Sequence, residues 1–236
     1  MLDTITIFDE EQHGSSRTHR VTDIREAVRD PNRVNVYIND KFFCSLDISQ
    51  IVDFGVKIGR EFTDDELSEL KKASDFGKFY SRALEYALLR PHSEKEIRDY
   101  LKRKTLSKKV RVKNRKTGEY QTKVREGYDP SLVPLVLERL AEHGHIDDER
   151  FARLWVENRN VRKGVSAKKL RMELMEKGIS SQIIEDVLGE NSRDERAELQ
   201  KVIARKANKY PDQQKLIQYL VRQGFNYSDV LDELSS

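Results

Sequence analysis

The sequence predicts a mainly α fold: three tandem three-helix repeats in an elongated array, with a small N-terminal α+β module and a basic β-hairpin insertion in the first repeat. Three observations predict it. From about residue 76 onward, apolar residues recur with the 3.6-residue period of an amphipathic helix. The same string of residue types returns at an interval in the high forties, which marks a repeat architecture. The chain is also thinly apolar, 37% hydrophobic against 36% charged. That is little for one thick globule, but it suits small helical units that stack and share buried faces.

The repeat is visible residue by residue. Ser166 to Leu174 leads to Lys177-Gly178-Ile179-Ser180, then Ile183-Ile184 and Val187-Leu188. Gln213 to Leu220 leads to Gln223-Gly224-Phe225-Asn226, then Val230-Leu231 and Leu234. Ser93 to Leu101 matches the first half of this pattern. Its second half, from Asp129-Pro130-Ser131-Leu132-Val133 to Val136-Leu137 and Leu140, follows only after an insertion. The first helices are expected at about 76–90, 147–160 and 192–209, and the middle ones at about 93–104, 166–177 and 212–222. The short third helices fall at about 130–142, 180–189 and 227–234. Ser93 with Glu96 and Ser192 with Glu195 fit the capping box, and Asp147, Ser166 and Ser180 suit N-caps. Gly144, Gly178 and Gly224 stand where a helix ends in a left-handed residue, each followed closely by an apolar residue (Ile146, Ile179, Phe225) that packs back on the helix. Pro134 disagrees with a helix starting at 130 and argues for a later start.

Ahead of the repeats, residues 1–75 form an acidic module with ten Lys and Arg against sixteen Asp and Glu. Its first twenty residues end in a polar run, Glu10 to His19. Arg33 to Ile38 alternates polar and apolar, Asn39-Asp40-Lys41 reads as a turn and Phe42 to Leu46 as the returning strand, so 33–46 is an expected hairpin. Asp47 to Val56 suits a short helix, and Thr63-Asp64-Asp65-Glu66 is a capping box that opens another. The domains are therefore 1–75, then 76–146 as repeat 1 with its insertion at 105–128, 147–190 as repeat 2, and 191–236 as repeat 3.

The net charge of +3 hides a strong asymmetry. Residues 102–125 carry eleven Lys and Arg and one acid, Glu119. Within them 108–113 and 120–125 alternate, and Gly118 ends the intervening loop in hairpin position. Neither strand has a strong apolar face, so the hairpin is expected to project from the helices rather than join their core. Two readings stand: a solvated basic loop, or a contact to a phosphate backbone or acidic protein groove with salt-dependent, sequence-independent affinity. The candidate contact residues are Arg98, Lys102, Arg103, Lys104, Lys108, Lys109, Arg111, Lys113, Arg115, Lys116, Lys123 and Arg125, joined around repeat 2 by Arg159, Arg162, Lys163, Lys168, Lys169 and Arg171. Stacked repeats would align the helical cations into a stripe.

Other classes find little support. His13, His19, His92, His143 and His145 lack metal-ligand spacing, so no metal site is expected. No phosphate-binding glycine loop or nucleophile elbow is present, and neither catalytic residues nor a cofactor is expected. Asp147-Asp148-Glu149 fits a helix N-terminus, where acids complement the dipole. Trp155, on one face with Phe151, Leu154 and Asn158, is expected as a core anchor. Cys44 stands alone, which suits a reducing compartment and a buried thiol. The sequence lacks an apolar run of membrane-spanning length and a signal-peptide pattern, so a cytoplasmic protein without a membrane or small-molecule partner is expected.

Ala83 to Ile97 (ALEYALLRPHSEKEI), Leu140 to Ala152 with its Gly-x-Ile-Asp-Asp-Glu-Arg-Phe-Ala string, and Glu173 to Ile179 resemble the corresponding stretches of RecX proteins. The resemblance covers about 78–234, and residues 1–75 resemble the amino-terminal extension of longer members. It implies three three-helix repeats lying in the groove of a RecA filament. It further implies a regulator, without catalytic residues, that inhibits or remodels RecA recombinase, ATPase and coprotease activity in DNA repair, homologous recombination and the SOS response. The implied partners are the RecA filament and single-stranded or double-stranded DNA. The alternative is a stand-alone nucleic-acid-binding protein. The sequence departs from shorter members at 105–128.

Overall fold

The computed structural model describes residues 19–28, 30–114, 118–159, 161–190 and 193–235. The chain divides into two compact units, Met1–Phe79 and Tyr80–Ser236.

The first unit is a four-stranded antiparallel sheet, ordered β3-β2-β1-β4, from β1 (His19–Ala27), β2 (Asp30–Ile38), β3 (Lys41–Asp47) and β4 (Glu61–Phe62). The expected hairpin at 33–46 is its β2–β3 pair. Asn39 and Asp40 both take positive φ, +48° and +62°, which gives the primed two-residue turn whose twist matches the strands it joins. Val21, Val36, Cys44 and Leu46 are fully buried together with Phe62 and Leu70. Burial pushes the Cys44 thiol up to about 11, so it sits as an inert apolar group. The short helix α1 (Ile48–Asp53) is held by a complete capping box between Asp47 and Gln50.

One expectation for this region is corrected. The helix opened by Thr63 and the helix expected at 76–90 are a single element, α2 (Asp64–Leu89). Thr63 and Glu66 form both halves of the predicted capping box, at 3.3 and 2.8 Å. Nothing in Lys71 to Lys78 stops the helix: there is no proline, and Asp75 lies 3.5 Å from both Lys71 and Lys78. Gly77 serves close approach instead, because a Cβ there would stand 3.1 Å from the Arg33 guanidinium and the Gln50 amide.

The second unit continues with α3 (Glu94–Thr105), β5 (Lys108–Lys113), β6 (Tyr120–Arg125), α4 (Leu132–Glu142), α5 (Asp148–Asn158), α6 (Ala167–Glu176) and α7 (Ser181–Gly189). It ends with α8 (Glu195–Lys206), a 3₁₀ turn (Ala207–Lys209), α9 (Gln213–Arg222) and α10 (Tyr227–Ser235). Ser93, Asp147, Ser166 and Ser180 are the N-caps of α3, α5, α6 and α7. α4 starts at Leu132, later than expected, so Pro134 falls in the first turn, where a missing N–H costs no intrahelical bond. Ser192 lies outside the described residues, and the cap of α8 is Asp194, which accepts from the Arg196 amide at 2.9 Å. The expected box at Ser93 is only half made. Ser93 Oγ accepts from the Glu96 amide, but the Glu96 carboxylate turns to Lys177 at 2.6 Å.

Gly178 and Gly224 have φ of +84° and +96° and end α6 and α9. The amides of Ile179 and Phe225 then bond back to Leu174 and Leu220, and both side chains are buried. One cluster gathers Phe151, Ala152, Val156, Leu170, Leu174 and Ile184. Another gathers Leu199, Val202, Leu216, Leu220, Phe225 and Val230. Trp155 packs at the edge of the first cluster rather than inside it, and its indole N–H donates to Glu173 at 3.1 Å.

One junction is built twice. Ser93, the cap of α3, donates its hydroxyl to the carbonyl of Lys177 at the end of α6 (2.8 Å). Ser166, the cap of α6, donates to the carbonyl of Gln223 at the end of α9 (2.6 Å). Beside the first, the Glu94 amide donates to Asp148 (2.8 Å), and beside the second the Ala167 amide donates to Glu195 (3.1 Å). Asp148 and Glu195 are the first residues of α5 and α8. Both serines are fully buried.

Candidate nucleic-acid interface

β5 and β6 pair antiparallel from Lys108 opposite Arg125 to Lys113 opposite Tyr120. The alternating sequence explains why they pair, and the scarcity of apolar residues explains why they stay in water: Val110 is the only one of their residues that is not exposed. The hairpin grows from the end of α3. The Tyr128 amide donates to the Lys104 carbonyl at 3.1 Å, and Ser107 donates to Glu126 at 2.7 Å. Gly127 lies so close to α3 that a Cβ would stand 2.0 Å from the Thr105 carbonyl oxygen.

At this root a cleft of about 130 Å³ is lined by Arg82, Lys104, Lys108 and Arg125, with Val110, Leu106, Glu126 and Tyr128. Among the described residues, none of the four cations is ion-paired with a carboxylate. Lys104 Nζ stands 4.9 Å above the Tyr100 ring. Tyr100 stacks on Tyr86 at 4.0 Å and 1°, and Tyr86 meets the His92 ring at 4.0 Å with a 30° tilt. Burial, then repulsion from Lys108, Arg82, Arg103 and Arg125, lowers the Lys104 ammonium below the ordinary lysine range. An anion placed there would relieve that repulsion. Out on the hairpin, Arg111 covers the Tyr120 ring at 4.5 Å.

The sequence-predicted cations therefore separate into two kinds. Lys102, Arg103, Lys104, Lys108, Lys109, Arg111, Lys113, Lys123 and Arg125 surround the hairpin and its root without ion pairs to described carboxylates, as do Arg162, Lys163 and Lys168 further along. Arg115 and Lys116 lie outside the described residues. By contrast, Arg98 is bound to Glu94, Arg159 to Glu173 at 2.7 Å and Arg171 to Glu185 at 2.7 Å. Lys169 donates to the Gln223 side chain at 2.5 Å. Burial alone would raise the Glu173 carboxyl, but hydrogen bonds from Arg159 and Trp155 outweigh it and hold the group below the usual carboxylate range. Arg159 and Arg171 fasten helix to helix and Arg98 pairs within α3, which leaves less free charge for a partner, whereas Lys169 is bonded to a neutral amide and keeps its charge. Sequence reasoning missed Arg82, Tyr100 and Tyr128 at the root. None belongs to the basic run, and only the return of the chain at Gly127 brings them together.

The acidic triplet is structural. Asp147 caps α5, Asp148 ties it to α3 and Glu149 pairs with Arg153 at 2.8 Å. His143 ends α4, with Gly144 following at φ +69°. His92 is buried beside Glu96, and burial lowers its ring below the ordinary range. Among the described residues, no group of three or more His, Cys, Asp or Glu could hold a metal ion, and no helix is long and apolar enough to cross a membrane.

Comparison with known proteins follows the same division of the chain. Residues 19–63 match the model of the regulatory protein RecX N-terminal domain, and residues 147–188 match that of the RecX second three-helix domain. The regulatory protein RecX of Clostridium tetani is 28% identical over 230 residues, covering 94% of this chain and 95% of that protein. That of Bacillus licheniformis is 26% identical over 214 residues, covering 88% and 73%. A crystal structure of regulatory protein RecX superimposes with a TM-score of 0.68 at 21% identity, covering 89% of this chain and 96% of that one, and shows the fold. The class so defined is a regulatory protein with an antiparallel-sheet module at its amino-terminal side and a three-helix domain within a mostly helical remainder. The chain belongs to the RecX family.

Proposed function

We propose that this chain binds a RecA–DNA filament and modulates RecA recombinase, ATPase and coprotease activity, using the hairpin and its root as the contact to the polyanion. The observation that carries this reading is the set of unpaired cations, Arg82, Lys104, Lys108 and Arg125, held around one cleft. Like charges are not gathered and partly desolvated without cost, and an anionic partner offsets that cost. The helical unit is read as three tandem three-helix repeats with the hairpin inserted in the first. The twice-built serine junction supports that reading, since equivalent residues make equivalent bonds. A groove-bound array of this kind acts by occupancy: it obstructs a second DNA strand or favours one filament state, with no chemical step of its own.

The test is RecA strand exchange and ATPase with and without the protein across a salt series. Inhibition that weakens steeply with salt is expected. Replacing Lys108, Lys109, Arg111 and Lys113 by Gln should abolish it with helicity intact. Unchanged inhibition by that variant removes the hairpin from the contact. Equal affinity for naked single-stranded DNA and for RecA–DNA would favour a stand-alone nucleic-acid-binding protein.

A further inference from the structure

A second cleft, of about 140 Å³, lies between the approach to α6, the end of α8 and the face of α9. Lys163, Lys169, Arg205 and Lys206 line it together with Ser166 and Tyr219, and no acid does. Elsewhere in this unit the arginines that join helices are matched by carboxylates: Arg153 by Glu149 and Glu190, Arg159 by Glu173, Arg171 by Glu185, Arg196 by Glu233. Around this cleft, none of the four cations is ion-paired with a described carboxylate. The nearest buried acid, Glu198, is already engaged, accepting from the Val165 amide at 2.9 Å and from Lys201 at 2.7 Å.

The cleft is built, not incidental. Gly164, at φ +73°, presses the loop against α8 so tightly that a Cβ would stand 2.4 Å from the Glu198 carbonyl oxygen. Lys169 is positioned by its bond to Gln223 (2.5 Å), and Lys206 stands 5.7 Å over the Tyr219 ring, which stacks on Tyr210 at 5.0 Å. A lysine over a stacked tyrosine pair also marks the hairpin root, where Lys104 covers Tyr100 and Tyr86.

We propose that this cleft holds a backbone phosphate of a nucleic-acid strand, as a second anchoring point remote in sequence from the hairpin. The inference rests on the reading that the partner carries nucleic acid. The three lysines are point charges able to bind phosphate oxygens, and the guanidinium of Arg205 adds a fork whose geometry matches a phosphate.

The experiment is fluorescence anisotropy of a labelled oligothymidylate with the full chain over a salt series, comparing wild type with R205Q/K206Q. Losing one single-strand phosphate contact removes about 0.7 from the slope of log affinity against log salt, which is about fivefold in affinity at 0.1 M salt. That reduction is expected for R205Q/K206Q. K215Q/R222Q, which removes the same charge from α9 residues that do not line the cleft, is expected to stay within about twofold of wild type. Thermal melts confirm that each variant folds. The proposal is overturned if R205Q/K206Q keeps the wild-type slope, or if the control pair loses as much, which would mean diffuse attraction. It is equally overturned if R205Q/K206Q loses polyglutamate binding while keeping the oligonucleotide, since the cleft would then serve an acidic protein. The hairpin quadruple variant in the same series tests the hairpin alone, so either site can fail while the other stands.

Discussion

Replacing Ser166 by Ala, and separately Ser93 by Ala, tests whether the two helix junctions are the same device. Each hydroxyl has two roles. Ser166 Oγ accepts from the Lys169 amide at 3.1 Å and donates to the Gln223 carbonyl at 2.6 Å. Ser93 Oγ accepts from the Glu96 amide at 3.2 Å and donates to the Lys177 carbonyl at 2.8 Å. Loss of an N-cap costs about 1 kcal/mol, and leaving a part-buried carbonyl without its donor costs about 1–2 kcal/mol, the lower part of the range for full burial. Each substitution should therefore destabilise the helical unit by about 2–3 kcal/mol, and at about 2–4 °C per kcal/mol for a domain of this size the melting temperature should fall roughly 5–10 °C. The assay is urea unfolding followed by helix circular dichroism, with the slope checked for constancy. The two sites share no partner, so the double variant should add within about 0.5 kcal/mol. A cost below about 0.5 kcal/mol at either serine, or a large cost at one and none at the other, would refute the equivalence of the junctions.

Two further outcomes follow from the geometry. The Glu173 carboxyl titrates below its unfolded value of 4.5, so its charged form contributes stability that is present above that pH and lost as pH falls through the depressed folded value. E173Q should flatten this acid limb when unfolding is followed by Trp155 fluorescence, and identical limbs in both proteins would contradict the assignment. In G127A the added Cβ, 2.0 Å from the Thr105 oxygen, should pry the hairpin from its root. Cross-strand amide protection from Lys108 to Arg125 should disappear and oligonucleotide affinity should fall several-fold while helix content stays constant; intact protection with wild-type affinity would show that the root tolerates the change.

The helix ends were the most legible part of the chain because local chemistry sets them. A serine that caps or a glycine that enters the left-handed region announces itself without knowledge of the rest, as Ser166 and Gly178 do. The strand β1 was not legible. Its pairing slips between Val21 and Asp23 and again between Glu26 and Ala27, so the alternation that marks a strand is broken twice. The continuity of α2 was missed for the opposite reason: a change in apolar pattern near residue 76 resembled a boundary, although no residue there ends a helix. The basic run declared its own charge but not which cations are already engaged. Arg159 with Glu173 and Arg171 with Glu185 meet across fourteen residues of sequence, and only the packing of α5, α6 and α7 brings them together. Arg82, Arg205 and Lys206 escaped notice because each is ordinary in its own stretch of chain and becomes part of a cleft only through folding.

The end of α3 is closed differently from the ends of α6 and α9. At α6 and α9 the C-cap carbonyl receives a serine hydroxyl, whereas in the last turn of α3 the Lys104 carbonyl receives the Tyr128 amide and Gly127 sits flush against Thr105. The chain returning from the hairpin thus covers the end of α3. Anything that reached the last turn of α3 would first have to displace Gly127 and Tyr128, so the segment that carries the cationic hairpin also shields the helix end beneath it.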